Sequence, residues 1–390
     1  MEDKNYFSSS FILGILGGGQ LGKMLLYETR KWDIKTHVLD PNDEAPSRIS
    51  CDYFQKGDLL HYETVYNFGL KADVITIEIE AVNVQALADL QKKGKKIFPQ
   101  PDVLKIIQNK ITQKQFYKQH HLPTADFNSY QTKTDLQNAI SQDDLSFPFV
   151  WKSATGGYDG MGVEIIKNKS EVEKLPDNPC LAENKVDFTH ELSVIVARNS
   201  DGEVKTYPVV EMEFHPAANQ VEYVITPARV ESHIHREAKQ LAKNTADQLQ
   251  IVGLLAVELF LTKDDKLLIN EVAPRPHNSG HVSIEASYTN QFEQYLRAVL
   301  NLPLGSTDNK VSAVMVNLVG SKEYTGYPRY KNIDQLLKMD GVTPHIYGKK
   351  QTRPFRKMGH VNIIDADVDK ARKKAEEVKS KISVISHVKS

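Results

Sequence analysis

Two glutamates stand where apolar neighbours leave a charge poorly solvated. Glu258 lies in the run 256–262, Glu271 in the run 267–271, and Lys263-Asp264-Asp265-Lys266 separates them. If those four residues form the loop of a hairpin, Thr262 pairs with Leu267 and Glu258 falls opposite Glu271. Like charges facing each other across antiparallel strands are destabilising, and an unpaired charge among apolar side chains is costly. A divalent cation between the carboxylates resolves both problems. Mg²⁺ takes one or two carboxylates and completes its shell with phosphate oxygens and water, so a nucleotide is expected beside it, with Asn270 as a neutral oxygen ligand. One protonated glutamate, or one paired with a lysine such as Lys152, is the plainer alternative.

Directly after the second run, Pro274 and Pro276 stiffen a segment that presents Arg275, His277, Asn278 and Ser279 in close succession. Rigid presentation of mixed donors suits a phosphorylated substrate rich in hydrogen-bonding groups. Upstream, Lys152 precedes Gly156-Gly157-Tyr158-Asp159-Gly160-Met161-Gly162, with four glycines in seven residues between two β-like runs. A hairpin loop of that kind can fold over nucleotide phosphates with its amides while Lys152 supplies charge. A glycine-rich turn with an incidental lysine is the bland reading, and the aromatic Tyr158 inside the loop argues against it.

A second glycine loop, Gly17-Gly18-Gly19-Gln20-Leu21-Gly22, follows a β-like run and opens a helix, with Asp40 ending the next strand. This fits the dinucleotide fingerprint, in which glycine lets an anion approach amides at a helix N-terminus. Three readings compete here: a nicotinamide cofactor, a tight turn that binds nothing, and a phosphate-bearing substrate. Near the end, Lys349 and the run Arg353 to His360 form a cationic cluster that alone reads as a solvated face.

These residues need a frame to hold them. Over the first hundred residues, strands at 11–16, 35–39, 74–79 and 96–98 alternate with helices at 20–32 and 84–93, which implies a doubly wound parallel sheet. Asp102 can cap a helix reaching about residue 120. Strands at 147–153, 163–166, 180–184, 191–197 and 205–211 follow with short turns, then a helix at 233–249 and the hairpin, which suggests an antiparallel α+β unit. A third unit carries strands at 311–318, 342–347 and 360–364 and a charged helix at 367–383. The fold class is therefore α/β and α+β, with domains expected at 1–107, 108–303 and 304–390. A chain of 390 residues also exceeds one core of ordinary size.

Composition narrows the partners. With 40% hydrophobic and 25% charged residues and a formal net charge of -1, nothing draws the chain generally to nucleic acid or anionic membrane. The apolar start, 11–16, runs into three glycines rather than a cleavage site and reads as a buried strand. Cys51 and Cys180 lie far apart without metal-ligand spacing, so a reduced, cytoplasmic protein is expected.

Taken in order, GGGQLGKM, GGYDGMG, NEVAPRPHNSGH and RKMGH resemble N5-carboxyaminoimidazole ribonucleotide synthetase, an ATP-grasp enzyme, over roughly residues 11 to 364. The resemblance implies an ATP-grasp fold with an N-terminal doubly wound parallel-sheet domain and a small C-terminal domain. It also implies Mg²⁺ as cofactor, a homodimer, and ATP, bicarbonate and aminoimidazole ribonucleotide as reactants. Carried onto matching positions, Lys110, Lys152 and Gly157, Tyr158, Asp159, Gly160, Met161 and Gly162 would bind ATP, with Glu183, Asn184, Lys185, Val186, Glu191 and His215. Glu258, Asn270 and Glu271 would organise Mg²⁺, the last two also touching ATP. The ribonucleotide would meet Gly19, Gln20, Leu21, Arg275, His277, Asn278, Lys349 and Arg356. Tyr158, Asp159, Arg275 and Lys349 would be catalytic, Asp159 orienting the reacting amine or assisting its proton loss. The chain departs from its relatives in having Lys110 for arginine, Met161 for lysine and Ala154 for a basic residue. Another ATP-grasp ligase, such as a formate-using transformylase, is the main rival; a nicotinamide dehydrogenase and an inactive binding protein are the others.

Overall fold

The computed structural model describes residues 5–156, 162–215 and 220–387. Five strands form the N-terminal sheet: β1 (Ile12–Leu16), β2 (Lys35–Asp40), β3 (Tyr53–Lys56), β4 (Val74–Ile77) and β5 (Lys96–Ile97). Their order is β3-β2-β1-β4-β5, and every pairing is parallel. The central strands are apolar on both faces because helices cover both, and the doubly wound expectation holds. The edge strand β3 and the helix Tyr62–Gly69 were not anticipated; YFQK is short and half polar, as an edge allows.

The helix expected from Asp102 to about residue 120 is two helices, Pro101–Ile107 and Lys110–Gln119. Asn109 caps the second by accepting from the amides of Ile111 and Thr112, and Asp102 caps neither. The break aims Lys110 inward: its amide donates to the Ala154 carbonyl at 2.8 Å, at the end of the strand that carries Lys152.

The middle of the chain holds two sheets where one was expected. β6 (Phe127–Tyr130), β7 (Phe149–Ser153), β8 (Val163–Ile166) and β9 (Cys180–Asn184) form an antiparallel sheet in the order β6-β9-β7-β8. Its core is built from Leu136, Phe149, Trp151, Cys180 and Ala182. The larger sheet contains β10 (Phe188–Arg198), β11 (Val204–Thr206), β12 (Val210–Phe214), β13 (Val221–Thr226), β14 (Gly253–Thr262) and β15 (Leu267–Ala273). Pro208, which lacks an amide for the ladder, separates β11 from β12, so the single strand expected at 205–211 is two.

The C-terminal region adds β16 (Ser312–Val319), β17 (Pro328–Lys331), β18 (Val342–Ile346), β19 (Lys357–Asp365) and β20 (Ser383–Ser386). The larger sheet runs β15-β14-β10-β12-β13-β16-β19-β18, with β11 beside β10, while β17 pairs β20 apart from it. The β13–β16 ladder thus carries hydrogen bonding across 303/304, although the C-terminal strands also keep a core of their own with helix Val368–Lys381. The N-terminal sheet is tied to the rest by Tyr295, whose buried hydroxyl accepts from Thr76 and donates to the Ile77 carbonyl. No helix among the described residues is long and apolar enough to cross a membrane.

Candidate active site

The first glycine loop is closed by the protein's own carboxylates. Gly18 donates its amide to Asp40 Oδ2 at 2.7 Å, and Gly19 and Gly22 donate to the two oxygens of Glu78 at 2.9 and 3.0 Å. A Cβ on Gly19 would lie 2.7 Å from Glu78 Oε1, so this glycine makes room for that carboxylate. The amides a dinucleotide pyrophosphate would need are therefore taken, which removes the nicotinamide reading of the motif. Asp40 caps the turn instead of facing a ribose. The anion that glycine admits here is internal.

The hairpin brings Glu258 opposite Glu271 as expected, though by another route. Thr262 donates its amide to the Lys266 carbonyl, so the turn is the three residues 263–265, with Asp265 left-handed at φ 59°. That alone would put the strands one residue out of step. A bulge corrects it: Leu259 pairs Ile269 and Glu258 pairs Glu271, leaving Asn270 without a partner in the ladder. A bulge re-aims side chains, and Asn270 and Glu271 reach neighbouring lysines despite being consecutive. Lys152 Nζ donates to Asn270 Oδ1 at 2.9 Å and Lys110 Nζ to Glu271 Oε2 at 2.9 Å.

The plainer alternative for the glutamates describes the protein as it stands, with Lys110 rather than Lys152 as the partner. Lys110 holds the Glu271 carboxyl well below its ordinary value, while burial, then Glu271 and Glu191, push that of Glu258 well above. Glu191 joins them on one face, because its strand neighbour Ser193 lies opposite Glu258 two residues along. Burial and Glu271 push its carboxyl up to about 7. No cation is needed to neutralise the pair, yet the donors fit one. Two carboxylates and an amide oxygen converge, and among the described residues no third His, Cys, Asp or Glu completes a metal cluster, so Mg²⁺ here would require phosphate oxygens.

The raised Glu258 makes stability depend on pH. In the unfolded chain it ionises near 4.5, and in the folded protein burial and Glu271 raise that value well into the neutral range. Between those values the folded state keeps a proton the unfolded state has released, so stability falls as pH rises through the window. Glu258→Gln removes that dependence. Thermal unfolding of the ligand-free variant should match wild type near pH 5 and exceed it increasingly towards pH 8. A constant difference across that range would contradict the assignment.

Glu183, matched above to ATP binding, is 3% exposed and held between two lysines. Its oxygens lie 3.2 Å from Lys114 Nζ and 3.0 Å from Lys152 Nζ. Burial opposes ionisation, but the two ammonium groups keep this carboxyl below its ordinary value. The side chain is thus engaged with two cations. Asn184 and Lys185 beside it are exposed and Val186 is half-buried.

Beyond the hairpin, Arg275 forms an ion pair with Glu80 at 2.8 Å, which ties the proline-rich segment to the N-terminal domain. His277 Nε2 stands 3.5 Å from Glu258 Oε1, and its Nδ1 meets Ser279 Oγ at 2.9 Å. The Asn278 amide exchanges two hydrogen bonds of 2.9 Å with Asn317 on β16. Lys349 donates to the Lys357 carbonyl and Arg356 to that of Gln351, so both long side chains are held within the loop before β19. Lys23, one turn after Gln20 and Leu21, is buried and donates to the carbonyls of Ile346 and Tyr347. This joins the first glycine loop to the loop bearing Lys349.

His215 stands by Glu222 and Phe355 at the end of β12, towards the C-terminal unit. Gly157, Tyr158, Asp159, Gly160 and Met161 lie outside the described residues. Gly156 and Gly162, which flank them, both take positive φ (74° and 72°), a region that glycine enters freely. Sequence reasoning missed Lys114, Glu78, Glu80 and Asn317. For Lys114 a signal existed: four residues after Lys110, it shares that residue's helix face.

Comparison with known proteins bears on this arrangement. Three family models match: the ribonucleotide synthetase preATP-grasp domain over 11–108, the ATP-grasp domain over 115–292, and the phosphoribosylaminoimidazole carboxylase C-terminal domain over 313–374. The N5-carboxyaminoimidazole ribonucleotide synthase of Bacillus subtilis is 38% identical, covering 92% of this chain and 92% of that one. The phosphoribosylaminoimidazole carboxylase of Candida albicans is also 38% identical over 92% of this chain, which spans only 65% of the fungal protein's length. Among solved structures, the N5-carboxyaminoimidazole ribonucleotide synthetase of Thermotoga maritima aligns with a TM-score of 0.87 at 40% identity, over 97% of this chain and 100% of that one. The enzyme of Aspergillus clavatus, in complex with ADP and 5-aminoimidazole ribonucleotide, aligns at 0.87 and 30% identity, over 95% and 98%.

Proposed function

The chain belongs to the N5-carboxyaminoimidazole ribonucleotide synthase family, and on that premise we propose that it uses ATP and bicarbonate to carboxylate the exocyclic amine of aminoimidazole ribonucleotide. The observation that carries the reading is the convergence of Lys110, Lys152, Asn270, Glu258 and Glu271 from four separate elements. Cations and oxygen ligands arranged this way suit a polyphosphate with its metal.

A bicarbonate oxygen attacks the γ-phosphorus of ATP, the bond to the β-phosphate bridging oxygen breaks, and ADP leaves carboxyphosphate behind. The amine nitrogen then attacks the carboxyl carbon, the carbon–oxygen bond breaks, and inorganic phosphate departs. Mg²⁺, held by Glu258, Glu271 and Asn270, would draw negative charge from the transferring phosphoryl group. Lys110 and Lys152 neutralise the nucleotide phosphates. His277, beside Glu258, and Arg275, beside Glu80, meet the ribonucleotide. Asp159 takes the amine proton. Gln20 and Leu21 border the ribonucleotide, and Lys349 and Arg356 clamp its 5′-phosphate. The reading extends to a cytoplasmic homodimer, consistent with two free cysteines.

The test is ADP release in Mg·ATP and bicarbonate, with and without the ribonucleotide. ADP should appear in step with loss of the free amine. ATP binding without any response to the ribonucleotide would point to another ATP-grasp substrate.

A further inference from the structure

Lys114 has no part in the chemistry above, yet its side chain is only 2% exposed and carries a charge. Burying an ammonium group is costly unless something is gained. Its Nζ lies 3.2 Å from Glu183 Oε1 and donates to Thr124 Oγ1 at 2.5 Å. Thr124 in turn donates to the Ile269 carbonyl at 2.6 Å, one residue before the Asn270 bulge. Lys152 holds the other oxygen of Glu183 and also Asn270. One buried carboxylate therefore serves two lysines, one fixed and one at the edge of the nucleotide site.

The arrangement solves a problem of charge. Were Lys152 the sole partner of Glu183, moving its ammonium towards a phosphate would strand a buried carboxylate, and breaking a buried pair is strongly unfavourable. With Lys114 in place, Glu183 stays neutralised when Lys152 turns to the phosphate. We propose that Lys114 is a positioning residue for ATP, which holds the Glu183 charge so that the charge of Lys152 is available to the nucleotide phosphates. This rests on the reading of the site as one for ATP.

The experiment is a double-mutant cycle on Mg·ATP binding by the full chain, with thermal unfolding recorded for each variant. K114M should weaken ATP binding about tenfold or more in the wild-type background and at least threefold less than that in an E183Q background, because the competing carboxylate charge has gone. Ribonucleotide affinity should hold within about twofold in K114M, which a general loss of structure would not allow. Equal losses in the two backgrounds, or no loss in either, would overturn the proposal. If K114M does not fold, E183Q against K114M/E183Q decides: a further loss of about threefold or less supports it, and about tenfold overturns it. Failure of wild type to bind ATP at all would instead overturn the functional reading beneath it.

Discussion

Glu271→Ala should lower kcat/KM for ATP by about 100-fold or more, since even outer partners of metal ligands cost 10- to 100-fold when removed. Glu271 faces Glu258 across the hairpin and holds Lys110, so its loss removes the proposed cation ligand and leaves a lysine without its carboxylate. Two consequences separate. The lost ligand shows in turnover, whereas the unpaired lysine shows as a lower unfolding temperature. Glu271→Gln keeps the volume and a hydrogen-bond acceptor for Lys110 and should recover much of the stability but little activity. Steady-state kinetics at varied Mg²⁺ with parallel thermal unfolding check both. Near-normal turnover in both variants would rule Glu271 out as a ligand.

The second large effect is selective rather than general. Lys349→Met should raise KM for the ribonucleotide by roughly 10- to 100-fold, because a hydrogen bond to a charged phosphate contributes about 1.5–3 kcal/mol. KM for ATP should change less than about twofold, since Lys349 lies in the loop held by Lys357 and Lys23, apart from the Lys110 and Lys152 cluster. A parallel rise in both constants would mean that the loop supports the whole site. No rise in either would move the 5′-phosphate elsewhere.

How far the sequence led can be judged from particular residues. The facing of Glu258 and Glu271 was legible because register arithmetic depends only on the sum of turn and bulge residues. A four-residue turn and a three-residue turn followed by one bulged residue give the same pairing. The bulge itself was not legible, and it is what lets consecutive Asn270 and Glu271 serve one site. The first glycine loop was misleading for a physical reason. Its motif reports amides aimed at an anion, and only the fold reveals that the anion is Glu78, 56 to 59 residues away in sequence. Lys114 was legible as the residue one turn after Lys110, but its buried partner Glu183 lies 69 positions further on and has no local signature. The break at Asn109 was not legible either, and it starts the helix whose shared face carries Lys110 to Glu271 and Lys114 to Glu183. The parallel sheet read well because its strands are continuous apolar runs. By contrast, the junction of β13 with β16 joins residues about ninety positions apart and has no local signature.

The most direct test of the account follows the oxygen atoms of bicarbonate. With ¹⁸O-labelled bicarbonate, Mg·ATP and the ribonucleotide, phosphorylation of bicarbonate predicts one labelled oxygen in each inorganic phosphate released and two in each carboxylated product. Phosphate that carries no label while ADP and product accumulate would contradict carboxyphosphate formation, and with it the proposed use of this site.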